Sequence, residues 1–194
     1  PAEIAELVED FAAAARRAIR AGYRAIEVHG AHGYLLHSFL SPLSNRRNDA
    51  YGGDLPGRMR MALEVVEAVR GAIPEDVPLF FRCSAVDGVD GGWSLDDTVA
   101  LARALTPLGV DVIDCSSGGI AGPATAAKGR KRQPGFQVPY AARVKAETGL
   151  KTQAVGLLTH PVQAEAVLAE GGADLIALGR ELLADPMWPH RAAA

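Results

Sequence analysis

Ala25-Ile26-Glu27-Val28-His29-Gly30-Ala31-His32-Gly33-Tyr34 is a short apolar run that breaks off into two histidines and a tyrosine. The run has the length of a buried strand. Its glycine-bearing sequel therefore puts His29, His32 and Tyr34 where that strand ends. In parallel α/β proteins this rim is where chemistry is done. The candidate reacting groups are thus His29, His32 and Tyr34, with Gly30 and Ala31 as the backbone between them.

Helix and strand patterns alternate on both sides of this stretch. Ile4–Ile19 places Leu7, Val8, Phe11, Ala12, Ala15 and Ile19 at helical spacing, and Gly22 ends it. After the strand Ala25–His29 the pattern predicts a short helix from about His32 to Phe39, then a polar loop through Gly53. A helix over Arg58–Arg70 and a strand over Leu79–Ser84 follow. Ser94 is an N-cap for Leu95–Leu108, because its hydroxyl can accept an orphan amide of the first turn. Val110–Cys115 is the third strand, and the loop Ser116–Gly135 is long enough to serve as a lid. Then come helix Val138–Glu147, strand Thr152–Val155, helix Pro161–Ala169, strand Asp174–Leu178 and a short helix opening at Gly179-Arg180-Glu181. Five strands, each followed by a helix and none joined by a hairpin, predict a parallel sheet covered on its outer face. No low-complexity linker divides the chain, so residues 1–194 read as one unit.

Composition suits such a domain: 194 residues, 48% hydrophobic and 22% charged. A net charge of -3 gives no basic footprint for nucleic acid or an anionic membrane. Lys128-Gly129-Arg130-Lys131-Arg132 is the densest basic cluster, read as a solvated loop. No apolar run reaches the ~20 residues of a membrane span. There is no secretory pattern. Cys83 and Cys115 each lie inside an apolar strand and read as reduced core residues of a cytoplasmic protein. The chain starts at Pro1 without a methionine, which leaves a processed, excised or partial chain open.

Several residues carry potential chemistry. His29 and His32 have three readings: core histidines bonded to backbone, two ligands of a metal for which this loop offers no clear third, or donors to a substrate oxygen. Tyr34 carries a phenol able to deliver a proton to a neighbouring centre. Arg82 stands inside an apolar strand, where an unpaired charge is too costly. It must meet Asp114, Asp87, Glu27 or a ligand. Gly179 and Arg180 follow a strand and open a helix, and Gly156 follows the preceding strand. Such glycines let an anion approach the backbone, and Arg180 adds a phosphate fork. His37, His160 and His190 read as surface or packing residues. The donor-rich stretch from Ser41 to Gly53 reads as a self-bonded loop supporting the site.

In order along the chain, His29-Gly30-Ala31-His32-Gly33-Tyr34, Phe39-Leu40-Ser41-Pro42, Asn45-Arg46-Arg47, Tyr51-Gly52-Gly53, Arg82-Cys83-Ser84, Asp114-Cys115-Ser116-Ser117-Gly118, Pro134-Gly135-Phe136-Gln137-Val138-Pro139, Ala154-Val155-Gly156 and Gly179-Arg180-Glu181-Leu182-Leu183-Ala184-Asp185-Pro186 resemble the Old Yellow Enzyme family of FMN-dependent flavin oxidoreductases. The match covers nearly the whole chain. The resemblance implies a (β/α)8 TIM barrel of which this chain supplies strands four to eight. It implies FMN as cofactor and NADPH or NADH as reductant. His29 and His32 would bind the oxygen of an activated alkene, an α,β-unsaturated carbonyl or nitro compound, and Tyr34 would protonate its α-carbon. Arg82 would take the flavin as its ligand in preference to an internal pair, and Gly156, Gly179 and Arg180 would hold the FMN phosphate.

The resemblance also implies that the first three βα units lie outside this chain. Open edges then call for a homo-oligomer or a complementing barrel segment, and the chain alone is expected to hold FMN poorly. The rivals are a fragment without turnover, a non-flavin barrel lyase, and a dienoyl-CoA reductase-like flavoenzyme. The last needs a cysteine cluster that Cys83 and Cys115 do not make.

Overall fold

The computed structural model describes residues 2–121 and 132–193. In chain order the elements are α1 (Ala2–Arg20), β1 (Ile26–Gly30), α2 (Leu35–Leu40), α3 (Leu55–Ala72), β2 (Leu79–Ser84), α4 (Leu95–Leu105), β3 (Val112–Ser116), α5 (Val138–Thr148), β4 (Lys151–Ala154), α6 (Pro161–Ala169), β5 (Leu175–Ile176), α7 (Arg180–Ala184) and α8 (Trp188–Ala192). The strands form one sheet in the order β1-β2-β3-β4-β5, every neighbouring pair parallel. A doubly wound sheet reverses its order at a switch point. Here the order never reverses, which is the wall of a (β/α)8 barrel.

Strand side chains alternate between faces. Val28, Phe81 and Ile113 share one register row, and Cys83, Cys115 and Ala154 another. All six are buried in the core shared with the helices. The intervening row, His29–Arg82–Asp114–Gln153, projects from the opposite face, which in a barrel is the interior. The core is thus an apolar layer under the helices, and the inner face is polar. Phe81 is fully buried at its centre, and truncation there is expected to cost about 3–5 kcal/mol.

The helices start where their sequences allow. Asp54 caps α3 by accepting the Gly57 amide at 2.9 Å, and Pro56 sits in the first turn. Ser94 caps α4 as expected, in a reciprocal box with Asp97. Pro107 tightens the end of that helix into a 3-10 turn, so α4 stops short of Leu108.

Two further expectations need correction. The helix expected from His32 begins only at Leu35, because His32 (φ 59°) and Gly33 (φ 80°) adopt left-handed backbone incompatible with a helical start. The strand expected over Asp174–Leu178 pairs only at Leu175–Ile176. Helix α8 lacked a clear sequence signal.

The loop from Ser41 to Gly53 is self-bonded, as its composition suggests. Asn45 Nδ2 donates to the carbonyls of Phe39 (2.6 Å) and Tyr51 (2.8 Å), and Tyr51 Oη donates to Glu64 (3.0 Å). Cys83 and Cys115 are free and buried. Their hydrogen bond to one another, together with burial, pushes the Cys115 thiol well up, so it is an unreactive core group. Of the basic cluster at Lys128–Arg132, all but Arg132 lies outside the described residues.

Candidate active site

The turn after β1 gathers the three residues first singled out. The His29 ring lies 5.3 Å from that of His32 and 5.4 Å from that of Tyr34, centroid to centroid. The turn is built by close packing as well as by φ. A Cβ on Gly33 would fall 2.3 Å from the Gly119 carbonyl oxygen, and one on Gly119 would fall 2.3 Å from His32 C. Only two glycines let these backbones meet. The His32 amide donates to Ser84 Oγ (3.0 Å), which donates to the Gly118 carbonyl (2.7 Å). The His32 ring is tethered at Nε2 by Ser116 Oγ at 2.6 Å.

Burial, then the Arg82 charge, holds both histidines below the usual imidazole range, His32 at about 4. Both are therefore neutral near pH 7, a state that offers one N–H each to an acceptor. Among the described residues there is no group of three metal-ligating side chains, so the metal reading has no third ligand. Among the described residues neither ring is bonded to backbone as a core histidine would be. Tyr34 is 63% exposed and open to the same space.

Of the partners considered for Arg82, the fold brings Asp114 to it. Its Nη1 pairs with Asp114 Oδ2 at 3.2 Å, so an internal partner exists. Asp114 is fully buried and also accepts from Gln153 Nε2 at 3.0 Å. The pair does not exhaust the guanidinium: Arg82 Nε is buried and finds no partner. Asp87, another carboxylate considered, is engaged elsewhere. Glu27, the third, is hydrogen-bonded to Asp114. Burial and the Asp114 charge push Glu27 up to about 7, and burial likewise raises Asp114.

A second group lies around a cleft of about 340 Å³ lined by Arg82, Ser116, Gln137, Gly156, Gly179 and Arg180, among others. All four cofactor candidates from the sequence thus share one cleft. Gly179 has open space where a Cβ would be, whereas Gly156 (φ 126°) faces Phe136 Cε1 at 3.0 Å and Gln137 Nε2 at 3.2 Å. Leu157 beside it also has positive φ (55°), and non-glycine strain of this kind clusters at functional sites. Gln137 stitches the cleft floor, accepting from Ser117 Oγ (2.6 Å) and donating to the Val155 carbonyl (3.2 Å).

Sequence reading passed over Ser84, Ser116 and Gln137 as individual residues. The available signal for Ser84 and Ser116 was polar character at otherwise apolar, buried strand ends, whereas Gln137, at the start of α5, gave none. It also filed His37 among packing residues. His37 is indeed buried, but its Nε2 lies 2.9 Å from the equally buried Asp87 Oδ1.

The sequence profile of the NADH:flavin oxidoreductase / NADH oxidase family matches residues 1–194. The chain is 46% identical over 191 residues to an NADPH dehydrogenase of Halalkalibacterium halodurans, covering 98% of this chain and 54% of that protein. It is 44% identical over 191 residues to the NADPH dehydrogenase of Bacillus subtilis, with the same coverage. The chain therefore spans about half the length of the curated relatives it matches. Among solved structures, morphinone reductase in complex with tetrahydroNAD aligns over all of this chain and 49% of its own, at TM-score 0.80 and 27% identity. A 2-naphthoyl-CoA reductase aligns over 98% of this chain and 29% of its own, at TM-score 0.89 and 29% identity. An Old Yellow Enzyme homologue from Zymomonas mobilis aligns at TM-score 0.79 and 26% identity, covering 97% of this chain and 51% of its own. A consecutive parallel barrel wall, a polar inner row, and a profile match from first residue to last make this chain a member of the NADH:flavin oxidoreductase / NADH oxidase family.

Proposed function

We propose that the full protein is an FMN-dependent NADPH oxidoreductase that reduces activated C=C bonds, and that this chain carries its substrate-facing residues. The observation behind this reading is the position of Ser116. Its hydroxyl is 2.6 Å from His32 Nε2, and the same residue lines the cleft with Arg82, Gly156, Gly179 and Arg180. Ser116 thus links the histidine cluster to the cleft that holds the glycines.

The residues present fit FMN. Arg82 offers a buried Nε without a partner, a donor available to a ring nitrogen or oxygen. Gly179 leaves room at its backbone, and the exposed Arg180 adds a guanidinium for phosphate. Helix α7 has only five residues, so its dipole contributes little. When bound, the flavin supplies the hydride that this chain's side chains cannot.

The chain's own residues then divide the remaining work. His29 and His32, both neutral, donate to the oxygen of an α,β-unsaturated carbonyl or nitro compound and draw charge toward it, an oxyanion-type role. Tyr34 Oη protonates the α-carbon, its phenol set beside the His29 ring. Arg82, held by Asp114, keeps a fixed positive charge at the cleft. Ser116 fixes the His32 ring so that the oxygen meets a pre-set donor.

Identity of 46% to NADPH dehydrogenases against 29% to the naphthoyl-CoA reductase favours the simple-alkene branch over a CoA-thioester one. The partners proposed are a small activated alkene and either a second copy or a further barrel segment beside the β1 and β5 edges. No helix among the described residues is long and apolar enough to cross a membrane, and we place the protein in the cytoplasm.

The test is FMN titration of the full protein followed by NADPH oxidation with cyclohexenone. Stoichiometric FMN and alkene-dependent NADPH oxidation are expected. A protein that binds FMN yet leaves cyclohexenone untouched would contradict the alkene assignment.

A further inference from the structure

His37 lies one helical turn past Tyr34, outside the group that faces substrate. It is 1% exposed, and its Nδ1 accepts the Gly33 amide at 2.9 Å. An imidazole nitrogen that accepts carries no proton, so the ring proton sits on Nε2. Nε2 in turn lies 2.9 Å from Asp87 Oδ1, a close buried contact between two atoms that make no well-aligned hydrogen bond among the described residues. Asp87 is itself locked in place. Its Oδ2 accepts from Ser41 Oγ at 2.6 Å and from the Trp93 amide at 2.7 Å. Burial pushes the Asp87 carboxyl up, but these hydrogen bonds outweigh it and hold the group below the usual range, so it is ionised.

We propose that His37 and Asp87 form a positioning pair in which the carboxylate fixes the tautomer of His37, and that tautomer holds the left-handed His32–Gly33 turn presenting His32 and Tyr34. The turn needs such a hold. His32 is a non-glycine residue at φ 59°, a conformation that persists only where surrounding structure dictates it. Its amide is bonded to Ser84 and its ring to Ser116, while the next amide, that of Gly33, has His37 as its acceptor. Ser41 and Trp93, from the following loop and from the β2–α4 connection, carry the restraint onward. The proposal rests on the reading of His32 and Tyr34 as substrate-facing groups.

The tautomer requirement separates this role from simple packing. In Asp87→Asn the new amide can turn its NH2 toward His37, which puts two donors face to face unless the ring proton moves to Nδ1. That move sets Nδ1–H against the Gly33 N–H. His37→Leu removes the acceptor while keeping apolar volume, and His37→Asn keeps an acceptor close to the Nδ1 position.

Amide hydrogen exchange at Gly33 and nitrogen NMR of the His37 ring, measured on the full FMN-loaded protein, give the readout. Gly33 exchange is expected to rise about tenfold in His37→Leu and in Asp87→Asn, with protection restored in His37→Asn. The His37→Leu/Asp87→Asn double variant should be no worse than either single. If Asp87→Asn proves unfolded, the Leu and Asn variants at His37 decide alone. Unchanged Gly33 exchange in His37→Leu, or an Asn variant as labile as the Leu one, would overturn the proposal. Loss of Gly33 protection with alkene turnover intact would instead sink the functional reading of His32 and Tyr34, leaving the positioning of Gly33 standing.

Discussion

His32 Nε2 and Ser116 Oγ meet at 2.6 Å although they come from β-strand ends separated by β2. The bond joins the turn after β1 to the strand that borders the cleft, so one hydroxyl sets the ring proposed to face substrate. Ser116→Ala removes it without adding volume. The loss of one hydrogen bond, about 1 kcal/mol, is expected to raise KM for the alkene roughly fivefold and to leave FMN affinity little changed. Steady-state kinetics with a parallel FMN titration checks both.

Arg82 and Asp114 are a buried pair, and removing one member strands the other. Arg82→Met leaves the fully buried Asp114 without its cation, with Gln153 and Glu27 as neighbours, and is expected to cost about 3 kcal/mol in urea unfolding. The Arg82→Met/Asp114→Leu double variant should recover part of that stability while FMN binding stays weak. Recovery of stability without recovery of binding separates the structural use of the guanidinium from its use toward the flavin.

The pH dependence of stability has two opposing contributions. Glu27 ionises in the usual carboxylate range near 4.5 when unfolded but near 7 when folded. The native state therefore holds an extra proton between those values, and stability falls as pH rises through that window. His32 ionises near 6.5 unfolded and about 4 folded. Below 6.5 the unfolded state binds the extra proton, so this group makes stability fall as pH drops. Glu27→Gln is expected to abolish the first slope and leave the second, which denaturant midpoints of the apoprotein at pH 4, 5.5 and 7 would reveal. A profile unchanged by Glu27→Gln would contradict the raised ionisation of Glu27.

Gly119 has no room for a side chain. An added methyl would sit 2.3 Å from His32 C and 2.8 Å from the Gly33 amide nitrogen, at a φ of 110°. Gly119→Ala is expected to lose about 1–3 kcal/mol and to displace the His32–Gly33 turn. Gly53→Ala, also at positive φ (74°) but in open space, should cost only the backbone preference, about 1 kcal/mol. The difference in Tm between the two variants measures the steric part.

The barrel wall was legible because each strand and helix announced its own period. Ser94 and Gly22 marked a helix start and a helix end by local chemistry alone. The rim residues His29, His32 and Tyr34 were legible for the same reason, since they follow directly on a strand. What could not be read was anything set by distant contact. His32 looked like a helix start because its left-handed backbone is imposed by Gly119 and Ser84, far along the chain. Asp114 was one of three carboxylates the sequence offered to Arg82, and only the strand register singles it out. His37 looked like packing because Asp87, which gives it meaning, is on another strand's loop.

The central claim is that Tyr34 delivers the proton and the two histidines hold the substrate oxygen. Rapid mixing of the FMN-loaded protein separates the nicotinamide half of the cycle from the alkene half. Tyr34→Phe is expected to leave the rate of the nicotinamide half unchanged and to slow cyclohexenone reduction by about 10²–10⁴, the usual span for a lost general acid. An alkene half-reaction in Tyr34→Phe as fast as in the parent would contradict the account.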